Sequence, residues 1–305
     1  MNEPVAYLNG RWIPQRQAAI SVVDAGFVQG TTVAEQLRTF GGRLFRLDDH
    51  VARLFGSLRV VGVSAGVSAD ELGELAEAIV ARNHRLLAGG DDLGLSIFVT
   101  PGLYAGYTGE PAPAATTLCL HTYPLPFHLW AEKYTAGQAL RTTSVAQVPP
   151  QCWPATLKCR SRMHYYLADR QAALAEPGSR ALMLDSRGHV NEASTANVLL
   201  YHAGEGLLAP SPEQVLRGIS QAVVVELAEK NGIATTYCDL TVDHVAAADE
   251  VIITSTPFAL LPVTRFNGRA VGGGRAGPVF RALLAAFGEA VGIDIAAQAA
   301  RFAQR

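Results

Sequence analysis

The chain has little of what marks a nucleic-acid-binding, membrane or secreted protein. Its formal net charge is −2 over 305 residues, so no basic footprint for nucleic acid is expected. No apolar run is long enough to cross a bilayer. The first four residues, Met1-Asn2-Glu3-Pro4, lack the cationic and apolar regions of a secretory signal. We therefore expect a cytoplasmic protein that binds neither membrane nor nucleic acid.

Cysteine and metal-ligand patterns are also sparse. The four cysteines are scattered without C-x-x-C spacing, which favours reduced thiols in a cytosol. The eight histidines are dispersed and form no convincing pair with another ligand. We expect no metal site.

Lysine is unusually scarce, and this scarcity draws attention to one position. The sequence contains only Lys133, Lys158 and Lys230. Lys158 follows an uncharged, partly bulky stretch and precedes Arg160 and Arg162. A lysine that attacks a carbonyl must be neutral, and burial or nearby cations favour the neutral amine. Taken alone, however, a lysine is more often a surface residue.

Turn residues and hydrophobic spacing predict a mixture of strands and helices. Asn9-Gly10 predicts a type I′ hairpin turn, and Gly41-Gly42 a second hairpin with strands at 33–40 and 43–47. Asp48 is a candidate N-cap for the next helix, and Ser68 opens a capping box for a helix that ends at Gly89-Gly90. Further strands are predicted at 93–100, 116–122, 134–145, 181–185, 197–201 and 250–254, with helices at 161–175, 220–230 and after Pro278.

The predicted elements do not alternate strictly between strand and helix, so an α+β fold is favoured over a doubly wound sheet. Prolines at 124 and 126 mark a candidate linker. We predict a small N-terminal domain over residues 1–123, a linker over 124–133 and a larger C-terminal domain over 134–305.

Other parts of the sequence add a carboxylate, an arginine and two groups of small hydrogen-bond donors to Lys158. Glu192 lies on a predicted strand, and Gly218-Ile219-Ser220 opens a predicted helix whose backbone N–H groups can bind an anion. Thr256 follows the last strand, and Arg53 can bind a phosphate through two donors. Each has an ordinary alternative: a hairpin acid for Glu192, an N-cap for Ser220 and a solvated helix face for Arg53. Together with an amine, these groups can hold pyridoxal 5′-phosphate (PLP).

The order of these motifs resembles that of the class IV, or fold-type IV, PLP-dependent aminotransferases. The resemblance covers nearly the whole chain, and ordered matches over such a length are specific. The matching segments are Tyr7-Leu8-Asn9-Gly10, Asp24 to Gly30, Leu44 to Leu54, Lys158, Glu192, Gly218-Ile219-Ser220, and Thr254-Ser255-Thr256 with Leu261-Pro262-Val263.

The resemblance implies a fold and a set of roles. It implies a small N-terminal sheet-and-helix domain and a larger C-terminal pseudo-barrel domain. Lys158 matches the Schiff-base lysine and Glu192 the partner of the pyridine nitrogen. Arg53 matches the phosphate-binding arginine, and Gly218-Ile219-Ser220 with Thr256 match the remaining phosphate contacts. The family's active unit is a homodimer, so a homodimer is expected.

The residues that bind substrate in relatives do not carry over intact. Gln29 stands where branched-chain enzymes carry a tyrosine, and Pro101 where D-amino-acid enzymes carry a carboxylate-binding arginine. The candidates for substrate binding are Gln29, Arg38 and Arg162, with Arg43 and Arg160 as further arginines that can bind a carboxylate.

The function implied is ping-pong transamination between an amino acid and a 2-keto acid. A branched-chain-like amino acid is our first choice of donor. The alternatives are a D-amino-acid or R-amine transaminase and an aminodeoxychorismate lyase, to whose pattern Ser161-Arg162-Met163 is somewhat closer. A catalytically silent relative that binds metabolites and a purely structural α+β protein are the non-enzyme alternatives.

Overall fold

The structure of the chain is a computed structural model that describes residues 3–109 and 115–304. Its contacts form two compact units. Unit 1 comprises Met1–Leu125 with Leu157–Ser161, and unit 2 comprises Pro126–Thr156 with Arg162–Arg305. The domain limits drawn from the sequence remain a proposal, and they include some residues outside the described ranges.

Unit 1 is built on an antiparallel sheet. In its described residues six strands follow the order β2-β1-β6-β5-β3-β4. The strands are Val5–Leu8 (β1), Arg11–Pro14 (β2), Val33–Phe40 (β3), Arg43–Leu44 (β4), Leu93–Thr100 (β5) and Thr117–Pro124 (β6). The helices are Ala25–Val28 (α1), Leu47–Val61 (α2), Ala69–His84 (α3) and Ala105–Thr108 (α4), with a 3₁₀ turn at Gln15–Gln17.

Local signals in unit 1 act as the sequence predicts. Asn9 and Gly10 have φ values of 48° and 82°, as a type I′ turn requires, and they join β1 to β2. Ser68 Oγ accepts from the Glu71 N–H at 3.2 Å, and the Glu71 carboxylate accepts from the Ser68 N–H at 2.7 Å. The predicted hairpin turn and capping box are therefore confirmed.

The core of unit 1 lies between one face of the sheet and helices α2 and α3. Leu37 and Ile97 face the helices from β3 and β5, and Leu54, Leu72 and Ile79 meet them from the helices. Because side chains alternate along a strand, the residues between these apolar positions face the opposite side of the sheet.

Residues Leu157–Ser161 belong to unit 1 although they are distant in sequence from its other elements. Cys159 forms an antiparallel bridge with Val33. The Ala34 N–H donates to the Lys158 carbonyl at 3.0 Å, and the Arg160 N–H donates to the Thr32 carbonyl at 2.8 Å. This segment therefore extends the sheet beside the start of β3.

Unit 2 contains a mixed sheet. The described strands follow the order β12-β11-β10-β13-β14-β7-β8-β9, and β15 pairs with β14. The strands are Gln138–Thr142 (β7), Arg180–Leu184 (β8), Val190–Ala193 (β9), Asn197–His202 (β10), Gly206–Pro210 (β11), Thr235–Cys238 (β12), Glu250–Ser255 (β13), Ala259–Phe266 (β14) and Arg269–Ala270 (β15). The helices are Lys133–Ala136 (α5), Met163–Ala175 (α6), Ile219–Lys230 (α7), Val242–Ala247 (α8), Pro278–Val291 (α9) and Ile295–Phe302 (α10), with a 3₁₀ turn at Phe127–Leu129.

The sheets and helices of the two units confirm the predicted α+β class. Among the described helices, none combines the length and hydrophobicity that crossing a membrane requires.

Several predicted element boundaries were wrong. Helix α2 begins at Leu47 after Arg46, which is left-handed with φ 53°, so the N-cap is not Asp48. Asp48 lies in the first turn instead, where a carboxylate favours the helix dipole. The preceding strand is shorter than the predicted 43–47 for the same reason. Helix α3 ends at His84, five residues before Gly89.

The predicted strand at 134–145 was also wrong at both ends. The chain first forms the helical turn α5, which Gly137 ends with φ 78°. A side chain at this φ is strained, and a Cβ there would also collide with Thr264. Strand β7 therefore starts only at Gln138, and it ends at Thr142.

Candidate active site

Lys158 is held in place through its backbone. Its N–H donates to Ser57 Oγ of α2 at 3.2 Å, and its carbonyl accepts from Ala34. Leu157 packs against the core of unit 1, and Lys158 itself is half-buried. The amine therefore starts from a fixed backbone position rather than from a mobile surface loop.

A buried acid and two basic side chains surround the middle of α2. The Glu35 carboxylate accepts from Arg53 Nε at 2.8 Å and from Arg53 Nη2 at 2.9 Å. His50 Nδ1 lies 2.7 Å from the same carboxylate. Glu35 and His50 are buried, and the Arg53 side chain is 12% exposed. Glu35 thus orients the guanidinium of Arg53 with two parallel bonds.

The protonation states in this cluster follow from burial and charge. Burial opposes ionisation of Glu35, but the positive charge of Arg53 and the bond to His50 outweigh it and lower the pKa of Glu35. Burial lowers the pKa of His50, and the charges of Arg53 and Lys158 act in the same direction against the attraction of Glu35. His50 is therefore neutral at pH 7, with its proton on the nitrogen that faces Glu35.

The predicted phosphate contact of Arg53 stays a prediction. Arg53 forms an ion pair with the buried Glu35, and its side chain is 12% exposed. It is therefore not the solvated helix residue that was the alternative interpretation. Sequence reasoning did not assign Glu35 a role. Its only signal was an acidic residue in the otherwise apolar face of β3.

Glu192 lies on β9 in unit 2 and is buried, with 5% exposure. Its Oε1 atom accepts from Gln147 Nε2 at 2.7 Å and from the Tyr165 hydroxyl. Burial and then the charge of Glu192 raise the pKa of Tyr165, so this phenol remains a neutral donor. The hydrogen bonds from Gln147 and Tyr165 therefore orient the Glu192 carboxylate. Gln147 and Tyr165 were not predicted as site residues.

The start of α7 presents backbone N–H groups that no side chain of the described residues caps. Gly218 is its N-cap, and Ser220 is the second helical residue rather than the N-cap. Among the described residues no side chain caps this helix, and the first N–H groups of a helix have no partner within it. A Cβ on residue 218 would collide with Asn197 Oδ1, so a larger residue there would displace the Asn197 side chain. Ile219 and Ser220 are buried.

The end of β13 contributes hydroxyl groups in the same unit. The sheet register places Thr254 opposite Asn197, whose side chain borders Gly218. Within the described part of the chain, the buried Thr254 hydroxyl has no hydrogen-bond partner. Thr256 is half-buried in the turn that follows β13. The register therefore places the end of β13 beside the helix start, with an unsatisfied donor.

The predicted substrate residues occupy different settings. Arg38 is buried in unit 1, where its Nε donates to the Thr39 carbonyl at 3.1 Å and its guanidinium carbon lies 3.9 Å from the Phe40 ring centre. Gln29 is exposed and follows α1. Arg162 precedes α6 in unit 2 and is half-buried. Their roles toward substrate stay predictions.

These donor sets fit PLP chemically. A helix start with buried small residues and an unsatisfied hydroxyl suits a phosphate. A buried carboxylate oriented by hydrogen-bond donors suits a protonated ring nitrogen. No group of three or more His, Cys, Asp or Glu side chains among the described residues is arranged to hold a metal ion.

Comparison with known proteins agrees with this geometry. The family model for class IV amino-transferases matches residues 32–266. D-alanine aminotransferase of Bacillus licheniformis is 28% identical over 271 residues, which cover 89% of this chain and 91% of the relative. Branched-chain-amino-acid aminotransferase of Escherichia coli K12 is 25% identical over 289 residues, covering 92% and 91%.

Solved structures show the same fold. The E. coli branched-chain amino acid aminotransferase superposes with a TM-score of 0.86 at 23% identity, covering 93% of each chain. The T.th. branched-chain amino acid aminotransferase with pyridoxamine 5′-phosphate gives a TM-score of 0.83 at 25% identity, covering 95% of each chain. Because the family model matches well over half of its length, the chain belongs to the class IV aminotransferases and is a PLP-dependent transaminase of fold type IV.

Proposed function

We propose that the chain transfers an amino group between a branched-chain-like amino acid and a 2-keto acid by ping-pong chemistry. The name of the E. coli relative supports this donor. The observation that carries the catalytic part is the fixed backbone of Lys158, held by Ser57 and Ala34.

In this proposal Gly218, Ile219, Ser220 and Thr256 of unit 2 would hold the cofactor's phosphate, and the family resemblance assigns Arg53 of unit 1 to the same group. Backbone N–H groups at the start of α7 and the Ser220 hydroxyl are suited to phosphate oxygens. Glu35 keeps the Arg53 guanidinium oriented before the phosphate arrives. Binding therefore loses less side-chain entropy than it would with a mobile arginine.

Two side chains have separate roles in the chemical step: Lys158 as the base and Glu192 as a negatively charged carboxylate. When bound, PLP supplies an electron sink for the bond that breaks at the substrate carbon. Lys158 Nζ would take the proton from the substrate α-carbon and return it to the cofactor carbon on the other side of the amino nitrogen. The Glu192 carboxylate would stabilise positive charge on the ring nitrogen, and Tyr165 and Gln147 orient this carboxylate.

A D-amino-acid donor is the second candidate, since the D-alanine aminotransferase of B. licheniformis matches over a similar span. The identities to the two relatives differ little, so they do not rank the donors.

Assembly and location are further parts of the proposal. We infer a homodimer on the basis of the family resemblance, and a cytoplasmic location on the basis of the scattered cysteines. Light scattering during gel filtration of the holoenzyme measures the mass, and twice 32.4 kDa is expected.

The donor is tested by assays of the purified holoenzyme with L-leucine, D-alanine and R-1-phenylethylamine, each with 2-oxoglutarate or pyruvate. We expect turnover of L-leucine. Inactivity with L-leucine but turnover of D-alanine or the R-amine would replace the first choice, and inactivity with every donor would favour a silent relative.

Lys158→Ala is the matched control for these assays. Loss of both proton transfer and covalent attachment should lower turnover by more than about a thousandfold. Circular dichroism should show an unchanged fold, because the segment is held by backbone bonds.

A further inference from the structure

The face of the unit 1 sheet that points away from α2 and α3 is polar near Lys158. Register across β3, β5 and β6 aligns Gln36, Ser96 and His121. Directly opposed residues in antiparallel strands share a face, and Leu37, Leu95 and Ile97 occupy the other, apolar one. Tyr123 belongs to the same polar face, two residues beyond His121 on β6.

Arg160 reaches across this face. Its Nη2 donates to Ser96 Oγ at 2.9 Å, and Arg160 is exposed. Burial lowers the pKa of His121, and the charge of Arg160 lowers it further. The same charge opposes the rise that burial causes in the pKa of Tyr123. A guanidinium, a hydroxyl, an imidazole and a phenol therefore form one cluster.

The side chains of Lys158 and Arg160 project from the same side of residues 157–161. Cys159 lies between them and opposes Val33, which faces the apolar core. Since successive side chains of an extended segment alternate, Lys158 and Arg160 both point away from the side of Cys159. Their Cα atoms are about 7 Å apart at the rise of a strand, so a small substrate can contact both side chains.

We propose that Arg160 binds the carboxylate that lies next to the amino or keto group of the substrate. The inference rests on the proposed function and specifies its substrate class: amino acids and keto acids rather than amines that lack a carboxylate. A guanidinium has five N–H donors, so its bond to Ser96 is compatible with a two-bond contact to a carboxylate.

Arg160 suits this role better than Arg38 does. Arg38 is fully buried and stacked on Phe40, and it is bonded to a backbone carbonyl. Arg160 is exposed, two residues from the reacting amine and anchored by Ser96. Arg38 adds positive charge near Tyr123, as its effect on the pKa of that phenol shows.

Calorimetric titration of the holoenzyme with 4-methylpentanoate and its uncharged amide tests the contact without turnover. We expect the wild type to prefer the carboxylate, and Arg160→Gln to lower the carboxylate affinity by about tenfold to a hundredfold while leaving the amide affinity unchanged. Ser96→Ala should give a smaller loss in the same direction, because it only releases the anchor.

Arg59→Gln is the matched control, since Arg59 is another exposed arginine of unit 1, at the end of α2. It should retain the preference of the wild type. An unchanged preference in Arg160→Gln would overturn the inference, and loss of the preference in Arg162→Gln alone would assign the contact to Arg162.

Kinetics separate this inference from the proposed function. In Arg160→Gln, kcat/KM for the best amino acid should fall by the same factor as the affinity, whereas an amine donor should lose less than about threefold. Equal losses for both donors would refute the carboxylate contact. A wild type that transaminates no amino acid would refute the proposed function instead, and the titration would still decide whether Arg160 binds a carboxylate.

Discussion

The two units hold their buried acids in different ways. In unit 1, Glu35 is bonded to the cation Arg53 and to His50, so its charge is balanced inside the protein. In unit 2, Glu192 accepts from the side chains of Gln147 and Tyr165, which orient the carboxylate. Removing one partner of a buried ion pair leaves the other charge uncompensated, whereas a carboxylate oriented by hydrogen-bond donors can stabilise a positive charge on a ligand.

Neutralising Glu192 should give the larger effect on catalysis. Glu192→Gln keeps the shape but removes the charge that favours a protonated ring nitrogen, so kcat should fall by about a hundredfold to a thousandfold. Steady-state kinetics with saturating donor measure this loss of kcat. The thermal stability of Glu192→Gln should change little.

Tyr165→Phe sharpens this comparison because it removes one donor and leaves the acid in place. We expect a loss of kcat of about tenfold. If Glu192→Gln lost no more activity than Tyr165→Phe, the charge of Glu192 would not be the important property.

Neutralising Glu35 should instead lower stability. Glu35→Gln removes the negative charge that is bonded to Arg53 in a largely buried position, so the unfolding free energy should fall by about 3 kcal/mol. Urea denaturation followed by circular dichroism measures it. Glu3→Gln is the control, because the exposed Arg16–Glu3 pair should contribute nothing measurable. Equal stability of both variants would contradict a structural role for the cluster.

The pH dependence of stability tests the same cluster through His50. Burial lowers the pKa of His50 below its ordinary value of 6.5, with Glu35, Arg53 and Lys158 as its charged neighbours. Below that pH the unfolded chain binds a proton that the folded chain does not, so stability falls from pH 7 toward pH 5 by up to about 1.4 kcal/mol per pH unit. His50→Gln should flatten this slope, and an unchanged slope would assign the proton to another group.

Local signals in the sequence were sufficient for much of the fold. The Asn9-Gly10 turn, the capping box at Ser68 and strand β5 depend on nearby residues, and all three form as predicted. Strand β12 was missed because it pairs in parallel with β11 and has mostly exposed side chains, so it lacks an alternating apolar pattern. Helices α8 and α10 were missed as well, because they are only 6 and 8 residues long and show few repeats of a helical pattern.

The motif residues of the site were found because their spacing is distinctive, but their neighbours were not. Glu35 is 123 residues from Lys158 in the sequence, and it becomes part of the same unit only when residues 157–161 pair beside β3. Gln147 and Tyr165 reach Glu192 from 45 and 27 residues away. Such contacts depend on tertiary packing, which no local pattern specifies.

The central claim is that Lys158 is the cofactor-binding lysine. Borohydride reduction of the PLP-loaded protein, followed by peptide mass analysis, tests it directly because only three lysines are present. Lys133 donates to Gln138 Oε1 at 2.7 Å and is the natural internal comparison. We predict the phosphopyridoxyl mass on the peptide that contains Lys158; the same mass on Lys133 or Lys230, or on no lysine, would contradict the assignment.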